Sequence, residues 1–411
     1  MTQDESARWF PATRVAFRLC VIYFTLYVCT TQMLGGLIPL PIGRLPDVGG
    51  WFTGYISWIG RMLFGVAAAP VVSGSGDTLF DWVHVPAMLV LATLGTIAWS
   101  LLDRHRLAYP RLHRWFRVFL RFALGSTMLT YGIVKVIPLQ MGAPMLTRLL
   151  EPYGHFSPMG VLWSSIGASF SYERFVGSVE LACAVLLFIP RTATLGAALS
   201  VAAATQVFVL NMTYDVPVKL FSFHLILMSL FLLAPDAGRL LAAVLAHGAR
   251  RRWAAVAQVA FGLYLVGFAW YGARQSWHGF GGGAPKPALY GIWTVDRMLI
   301  DQQLRPPLVT DMDRWRHVVI QNATTIVFWR MDDNAMFYQA TYDADAGSIA
   351  LKRGTADAGS LAFQRPDETH LVLNGTVGGH QIYMETSRLD HTQLPLVSRG
   401  FNWIQEFPFN R

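Results

Sequence analysis

The chain has 411 residues, of which 53% are hydrophobic and 14% charged, with a formal net charge of +8. Soluble domains carry about 25% charged residues, so this composition excludes an ordinary soluble protein and reads as an integral membrane protein in a lipid bilayer. The basic residues fall in short runs beside apolar stretches (Arg104, His105, Arg106, Arg111, Arg114 and Arg117, then Arg250, Arg251 and Arg252), the positive-inside pattern rather than a nucleic-acid surface.

Three cysteines, Cys20, Cys29 and Cys183, lie inside apolar segments. They form no CxxC and no metal-ligand spacing, which argues against membrane dithiol chemistry. The polar start MTQDESARWFPATR leads into a first span, about Val15 to Leu40. It is too long for a signal-peptide core and no small-residue cleavage site follows, so it reads as an uncleaved span. Trp51 to Val72 is aromatic-rich and interrupted by Arg61, the pattern of an amphipathic helix lying on the membrane surface. After the turn SGSGDT, span two runs from about Leu79 to Leu102, with Asp81 and His84 near its start.

A basic loop precedes span three, about Phe116 to Leu139, and a long polar loop runs from Gln140 to Tyr172. Spans four and five, about Phe175 to Ile189 and Thr194 to Leu210, are joined by Pro190-Arg191. The loop NMTYDVPVK leads to span six, about Leu220 to Leu233, and the run ARRRW to span seven, about Ala254 to Tyr271. Basic loops placed in the cytoplasm give an inside N-terminus and an outside C-terminus. Were Trp51 to Val72 to cross, the basic loops would lie outside, against the charge rule.

The composition changes after the linker HGFGGGAPKP. Alternating runs such as TIVFWRM and THLVLNG, separated by turns such as MDDN and NGTVGG, predict an antiparallel β domain of about 120 residues with about seven to nine strands. Gly291-Ile292-Trp293 resembles the Gly-x-Trp that opens lipocalin-like barrels, with other small barrels and sandwiches as alternatives; Trp293 reads as core. The expected organisation is an N-terminal membrane region with two spans and an interfacial helix over 1–112. A four-helix membrane unit over 113–240 follows, then a basic segment and seventh span over 241–278, a linker over 279–287 and an extracytoplasmic β domain over 288–411. The fold class is thus an α-helical integral membrane protein of about seven spans with a C-terminal antiparallel β domain.

Polar groups inside the spans nominate a site, because a charge at the centre of a membrane helix costs roughly 2.5–3.5 kcal/mol and needs a partner. Lys135 lies in the apolar stretch FALGSTMLTYGIVKVIPLQ and shares a helix face with Tyr131. Snorkelling to the headgroups is its other reading. Gly125 and Gly132, seven apart, leave a groove for a neighbouring helix or a flat ligand. Glu173 and Glu180 share a face with Gly177 between them. Glu173 is near enough to the interface to be solvated; Glu180 is deep and must be neutral, paired or in a cavity. Asn211, Tyr214, Asp215, Lys219, Ser222 and His224 crowd the mouth between spans five and six, where Asp215 and Lys219 can also pair locally. With Lys135, Gln140 and Glu173 they would line one outward-facing polar pocket, and Asp81 and His84 start span two on that side. His84 and His224 lack a supporting metal spacing, and no metal is assigned.

The ordered positions Gly125, Tyr131, Gly132 and Lys135, then Gly177 and Glu180, then Pro190 to Thr194 and Gly196 resemble the DoxX-like superfamily of four-helix membrane proteins. The resemblance covers roughly Arg117 to Leu233. It implies a redox association, since the superfamily includes membrane subunits of thiosulfate:quinone oxidoreductase and of oxidative-stress complexes, and it implies Lys135 and Glu180 as the core polar pair. The chain carries no nucleotide-binding glycine motif, haem-type histidine pair or cysteine cluster, so electrons would pass only through a bound quinone. The expectation is therefore a redox-associated protein of a bacterial inner membrane that binds a quinone or similar lipid-soluble molecule. Lys135 and Glu180 are its catalytic candidates, and Tyr131, Gln140, Asn211, Tyr214, Asp215, Lys219 and His224 its ligand contacts, with a membrane or extracytoplasmic redox protein as partner. The alternative is a non-enzymatic scaffold, chaperone or carrier that presents the β domain outside the membrane.

Overall fold

The structure is a computed structural model that describes residues 8–38, 46–144, 148, 151–245, 252–279 and 283–410. Of the second basic run, Arg250 and Arg251 lie outside the described residues. The chain forms two compact units: Met1–His247 together with Ser398–Arg411, and Gly248–Val397.

The first unit is helical. Several helices start at a side-chain cap or a first-turn proline. Helix α1 (Pro11–Thr30) has proline in its first turn, where a missing N–H costs nothing, and a short α2 (Met33–Leu37) follows. Asp47 caps α3 (Val48–Trp51) by accepting from the Gly50 N–H, and α4 (Thr53–Phe64) ends at Gly65, whose φ of +68° suits the left-handed C-terminal position. At twelve residues α4 is about 18 Å long, shorter than the helix expected over Trp51 to Val72, because Gly65 ends it and 66–72 is not helical. Thr78 and Asp81 form a reciprocal capping box at the start of α5 (Leu79–Leu102), so Asp81 is committed to a helix end.

Helix α6 (Pro110–Val136) carries the organising apolar stretch. The expected polar loop from Gln140 to Tyr172 instead contains α7 (Pro158–Gly167), capped by Ser157 with proline at its first position. Helices α8 (Phe170–Phe188), α9 (Ala193–Thr213) and α10 (Lys219–Leu233) complete the bundle and α11 (Ala237–Leu245) follows; α12 (Arg252–Gly279) falls in the second unit. Helices therefore stand at all seven expected span positions. Among the described residues five segments are long and apolar enough to cross a membrane: Pro11–Thr30, Leu79–Leu102, Ala193–Thr213, Lys219–Ala242 and Val256–Gly279. The other two, α6 and α8, are the helices that carry the charged side chains of the candidate site.

One core joins α1, α6, α8, α9 and α10 through Phe17, Phe24, Val28, Phe116, Leu120, Leu124, Leu187, Ala197, Met228 and Leu232. A smaller one joins α4 to α5 through Ile56, Ile59, Val83, Ala87 and Met88.

The second unit contains a closed barrel. Strands β1 (Gly291–Ile300) and β3 to β9 (Trp315–Asn322, Thr325–Arg330, Ala335–Asp343, Ser348–Arg353, Ala356–Gln364, His370–Val377, His380–Leu389) pair antiparallel in chain order. Pairing of β1 with β9 closes the ring of eight, and β2 (Gln303–Leu304) is a two-residue hairpin partner of β1. Inward positions alternate as period two demands, and a bulge between Val295 and Arg297 shifts the inward set of β1 from Trp293 and Val295 to Met298 and Ile300. Side chains from all eight strands fill the interior, as the radius of an eight-stranded barrel allows. Trp293 is 1% exposed and donates to the Leu289 carbonyl, the core role expected of it. Arg314, also buried, donates to the carbonyls of Val295, Trp315 and Arg305.

Candidate functional site

The site is built on a glycine contact. A Cβ on Gly132 would lie 2.9 Å from the Gly177 carbonyl oxygen, and one on Gly177 would lie 2.7 Å from that of Gly132. Both positions must be glycine for α6 and α8 to approach this closely. Gly125 faces the ring of Phe188, 2.6 Å from its ideal Cβ position. The groove expected along Gly125 and Gly132 is therefore occupied by α8 and is not open to a flat ligand. The pairing of 125 with 188 and 132 with 177 means that the two helices run antiparallel.

Lys135 and Glu180 each follow their glycine by three residues, which brings them together across the contact. The Lys135 ammonium donates to both carboxylate oxygens of Glu180, at 2.8 and 2.7 Å, and each residue is 5% exposed. Lys135 is thus paired inside the bundle and does not snorkel. Its Nζ also stands 5.4 Å from the centre of the Tyr131 ring, and the Tyr131 hydroxyl accepts from the Gln32 amide.

Beside this pair lies a cavity of about 480 Å³ between α6, α7, α8, α9 and α10. Its walls are mostly apolar, with Met128, Met159, Leu162, Trp163, Val207 and Phe221. Tyr131, Lys135, Gln140, Glu180, Asn211 and Tyr214 line it as well, so six of the nine nominated side chains share one space. Gln140 Oε1 is buried and has no hydrogen-bond partner among the described residues. Asn211 is partly committed: its amide donates to the Val218 carbonyl and to Ser222 Oγ, which fixes the turn between α9 and α10.

The other three nominated residues lie outside the walls of this cavity, and the single pocket expected from the sequence is two polar regions and a ring stack. Lys219 Nζ sits 3.4 Å from Asp215 and 3.6 Å from Asp77, the local pairing extended by an unforeseen second acid. Asp77 also accepts from the backbone N–H groups of Lys219 and Leu220 and so caps α10, which lacks a cap of its own. Burial pushes the Asp77 carboxyl above the usual carboxylate range, against the opposing pull of these N–H groups and Lys219. His224 stacks on Tyr27 with ring centres 3.9 Å apart. Its Nδ1 contacts the Leu220 carbonyl at 2.7 Å and its Nε2 the Tyr23 hydroxyl at 2.7 Å. A carbonyl only accepts, so Nδ1 carries the proton and Nε2 accepts from Tyr23. Glu173 is fully buried rather than solvated, and one of its oxygens accepts from the Met141 N–H.

Sequence reasoning missed the C-terminal tail. Residues 398–410 pack within the helical unit rather than with the β domain in which their position placed them. Asp215, in a left-handed conformation at φ +53°, accepts from Arg399, from the Asn402 backbone and side chain, and from Gln405. Gln405 N–H donates to the Asp77 carbonyl, Trp82 donates to the Trp403 carbonyl and Pro408 reaches the cavity wall. The readable signal was the loss of strand alternation after Leu389, with an aromatic and amide-rich run FNWIQEF where a strand should have continued.

No protein-family profile and no solved structure matches the chain. A stretch of 121 residues, 29% of the chain, is 36% identical to the uncharacterized protein YwoB of Bacillus subtilis and covers 74% of that protein's length. Through that stretch the chain belongs to the same family as YwoB.

Proposed function

We propose that the helical unit is an integral membrane protein of DoxX-like type whose cavity holds a lipid-soluble molecule with a polar head, a quinone being the candidate. The observation that carries this reading is the buried Lys135–Glu180 pair set in the wall of a largely apolar 480 Å³ cavity. Ligand sites of about 300–1,000 Å³ combine such walls with a few convergent polar groups, and an ionisable group inside a membrane helix is by default a functional-site candidate. Three glycines of the DoxX-like pattern, Gly125, Gly132 and Gly177, lie at the α6–α8 contact that brings the pair together, which supports the family reading.

The polar inventory fits a head that carries carbonyl or hydroxyl oxygens. Tyr131 accepts from Gln32, which leaves its own proton to donate. Gln140 Oε1 offers a buried acceptor without a partner among the described residues, matched by a hydroxyl. A bound quinone would supply two-electron, two-proton chemistry; the chain's own part is to orient the head through Tyr131 and Gln140 and to hold a proton at Glu180 beside Lys135. An N-terminus in the cytoplasm and an extracytoplasmic barrel complete the reading. The alternative of a carrier or scaffold draws support from the barrel, whose side-chain-filled interior directs any partner to its outer surface or loops.

Mass spectrometry of lipid-soluble molecules that co-purify in mild detergent tests the proposal. Wild type should retain a small molecule near one per chain, and Gln140→Leu, which breaks no hydrogen bond of Oε1, should lose it while remaining folded. Equal retention in both, or nothing retained by wild type, would overturn it.

A further inference from the structure

A second cavity, of about 400 Å³, lies at the opposite end of α6 from Lys135. Its walls are the first three turns of α6, with Pro110, His113, Arg114, Arg117 and Arg121, together with Trp9 and the α8–α9 junction at Pro190, Ala193 and Thr194. The spacing from 110 through 114 and 117 to 121 follows the i, i+3/i+4 rule, so the three guanidiniums come from one helix face. Arg121 spends Nε and one terminal nitrogen on the carbonyls of Leu187 and Phe188. These are neutral partners that orient the group without cancelling its charge. Arg117 donates to the Leu232 carbonyl and to Asp236, which also accepts from Thr194. Each guanidinium has five N–H donors, so both arginines keep donors beyond these bonds.

The position of the cavity says what would use those donors. Immediately beyond Arg121 the α6 sequence from Phe122 to Val134 carries no charge, so the arginines stand where polar helix gives way to apolar helix. Phe122 stacks on Phe188 at 5.3 Å, and Phe122, Ile189 and Leu195 are exposed large apolar side chains flanking the cavity. Trp115, 73% exposed, lies on the same turns, as interfacial tryptophans do. Guanidiniums rimmed by exposed apolar surface match a phosphate that carries hydrocarbon chains better than a free anion.

We propose that this cavity binds the headgroup phosphate of an anionic phospholipid through Arg117 and Arg121, with the acyl chains against Phe122, Ile189 and Leu195. The inference rests on the membrane reading but not on the ligand of the other cavity.

The test uses the full chain in mild detergent, with phosphatidylglycerol, phosphatidylcholine and inorganic phosphate as probes and native mass spectrometry as readout. Wild type should retain phosphatidylglycerol over phosphatidylcholine by roughly tenfold or more, since each arginine near a lipid phosphate contributes about a factor of five. Arg117→Gln with Arg121→Gln should lose that preference, whereas Arg104→Gln, an exposed arginine outside the cavity, should keep it. Equal retention of the two lipids by wild type overturns the proposal without any variant, so a double variant that does not fold leaves it decidable. Equal loss in Arg104→Gln reduces the effect to net charge and also overturns it. Displacement of the lipid by millimolar inorganic phosphate would make it a free-anion site. Carbonate-washed membranes separate the two failures: a chain released by carbonate refutes the membrane reading itself.

Discussion

The two units place charge in opposite ways. In the helical unit Lys135, Glu180, Glu173, Asp77, Asp215 and Lys219 are all buried, and Arg18 is buried against Tyr109. Large apolar residues such as Leu94, Ile97 and Leu101 on α5 face outward. In the barrel the arrangement is reversed. The interior is apolar, Arg314 is the buried charge among its described residues, and acids such as Asp301 and Asp367 stand in exposed turns. A chain that excludes water by burying apolar side chains builds the second pattern. The first pattern is what the proposed membrane reading requires, since hydrocarbon outside gives no gain from apolar burial and charged groups must be enclosed and paired.

The sharpest way to break this contrast is at Lys135. Removing one partner of a buried pair costs about 3–5 kcal/mol, because the other charge is left uncompensated, whereas replacing both is often near neutral. Lys135→Met should therefore lower the thermal midpoint of the helical unit strongly in detergent, and Lys135→Met with Glu180→Gln should recover most of the loss. If the single and double variants are equally damaged, the pair is not the unit of stability. Trp293→Ala makes the matching lesion in the barrel, where deleting a buried tryptophan costs about 3–5 kcal/mol. It should unfold the barrel at a lower temperature while the helical transition, followed by far-UV circular dichroism, stays in place.

A smaller effect is expected at the tail. The Gln405 side-chain amide donates to the Asp215 carbonyl and carboxylate, and its backbone N–H donates to the Asp77 carbonyl. Gln405→Ala leaves Asp215 short of one charge-assisted bond, a loss of about 1–3 kcal/mol. The loss should appear in the helical transition although the residue follows the barrel in sequence. A shift of the barrel transition instead would contradict the assignment of the tail to the helical unit.

Much of this was legible in the residues. Helix positions followed from the apolar runs, and the barrel from period-two alternation with turn residues between strands. Lys135 and Glu180 could be matched because each was the one deep charge of its sign in a span and a lone buried charge is untenable. Three things were hidden. Helix α7 begins at Ser157-Pro158, a cap and first-turn signal masked by the surrounding prolines and aromatics. Asp77 looked like one more turn residue in SGSGDT, since its role depends on α10, more than a hundred positions later. The destination of the tail is a tertiary fact: nothing local in FNWIQEF says that Asp215, held in a left-handed turn, takes its donors from Arg399, Asn402 and Gln405. Long-range satisfaction of a polar group leaves no periodic trace.

The contrast between the units extends to pH, with opposite signs. In the barrel turn, hydrogen bonds from the Thr369 hydroxyl and N–H, with His370 beside them, hold the Asp367 carboxyl well below the usual carboxylate range. A depressed folded-state pKa adds stability that is fully present above the unfolded value of about 3.9 and disappears as pH falls through it toward the folded one. Asp301, Asp332 and Asp390 are shifted in the same direction by their own turn partners. Asp77 in the helical unit is shifted the other way by burial, so its contribution is present at low pH and is lost as pH rises through its elevated folded value. Between pH 6 and pH 3 the barrel transition should therefore move to lower temperature, while the Asp77 contribution to the helical unit moves in the opposite sense. Asp367→Asn should narrow the barrel's pH 6 to pH 3 gap without closing it, because three other turn acids still titrate. Asp77→Asn should leave the barrel's gap untouched. A barrel gap that is the same with Asp367 and with Asn in its place would show that the Thr369 and His370 contacts do not favour the ionised carboxylate in the folded chain.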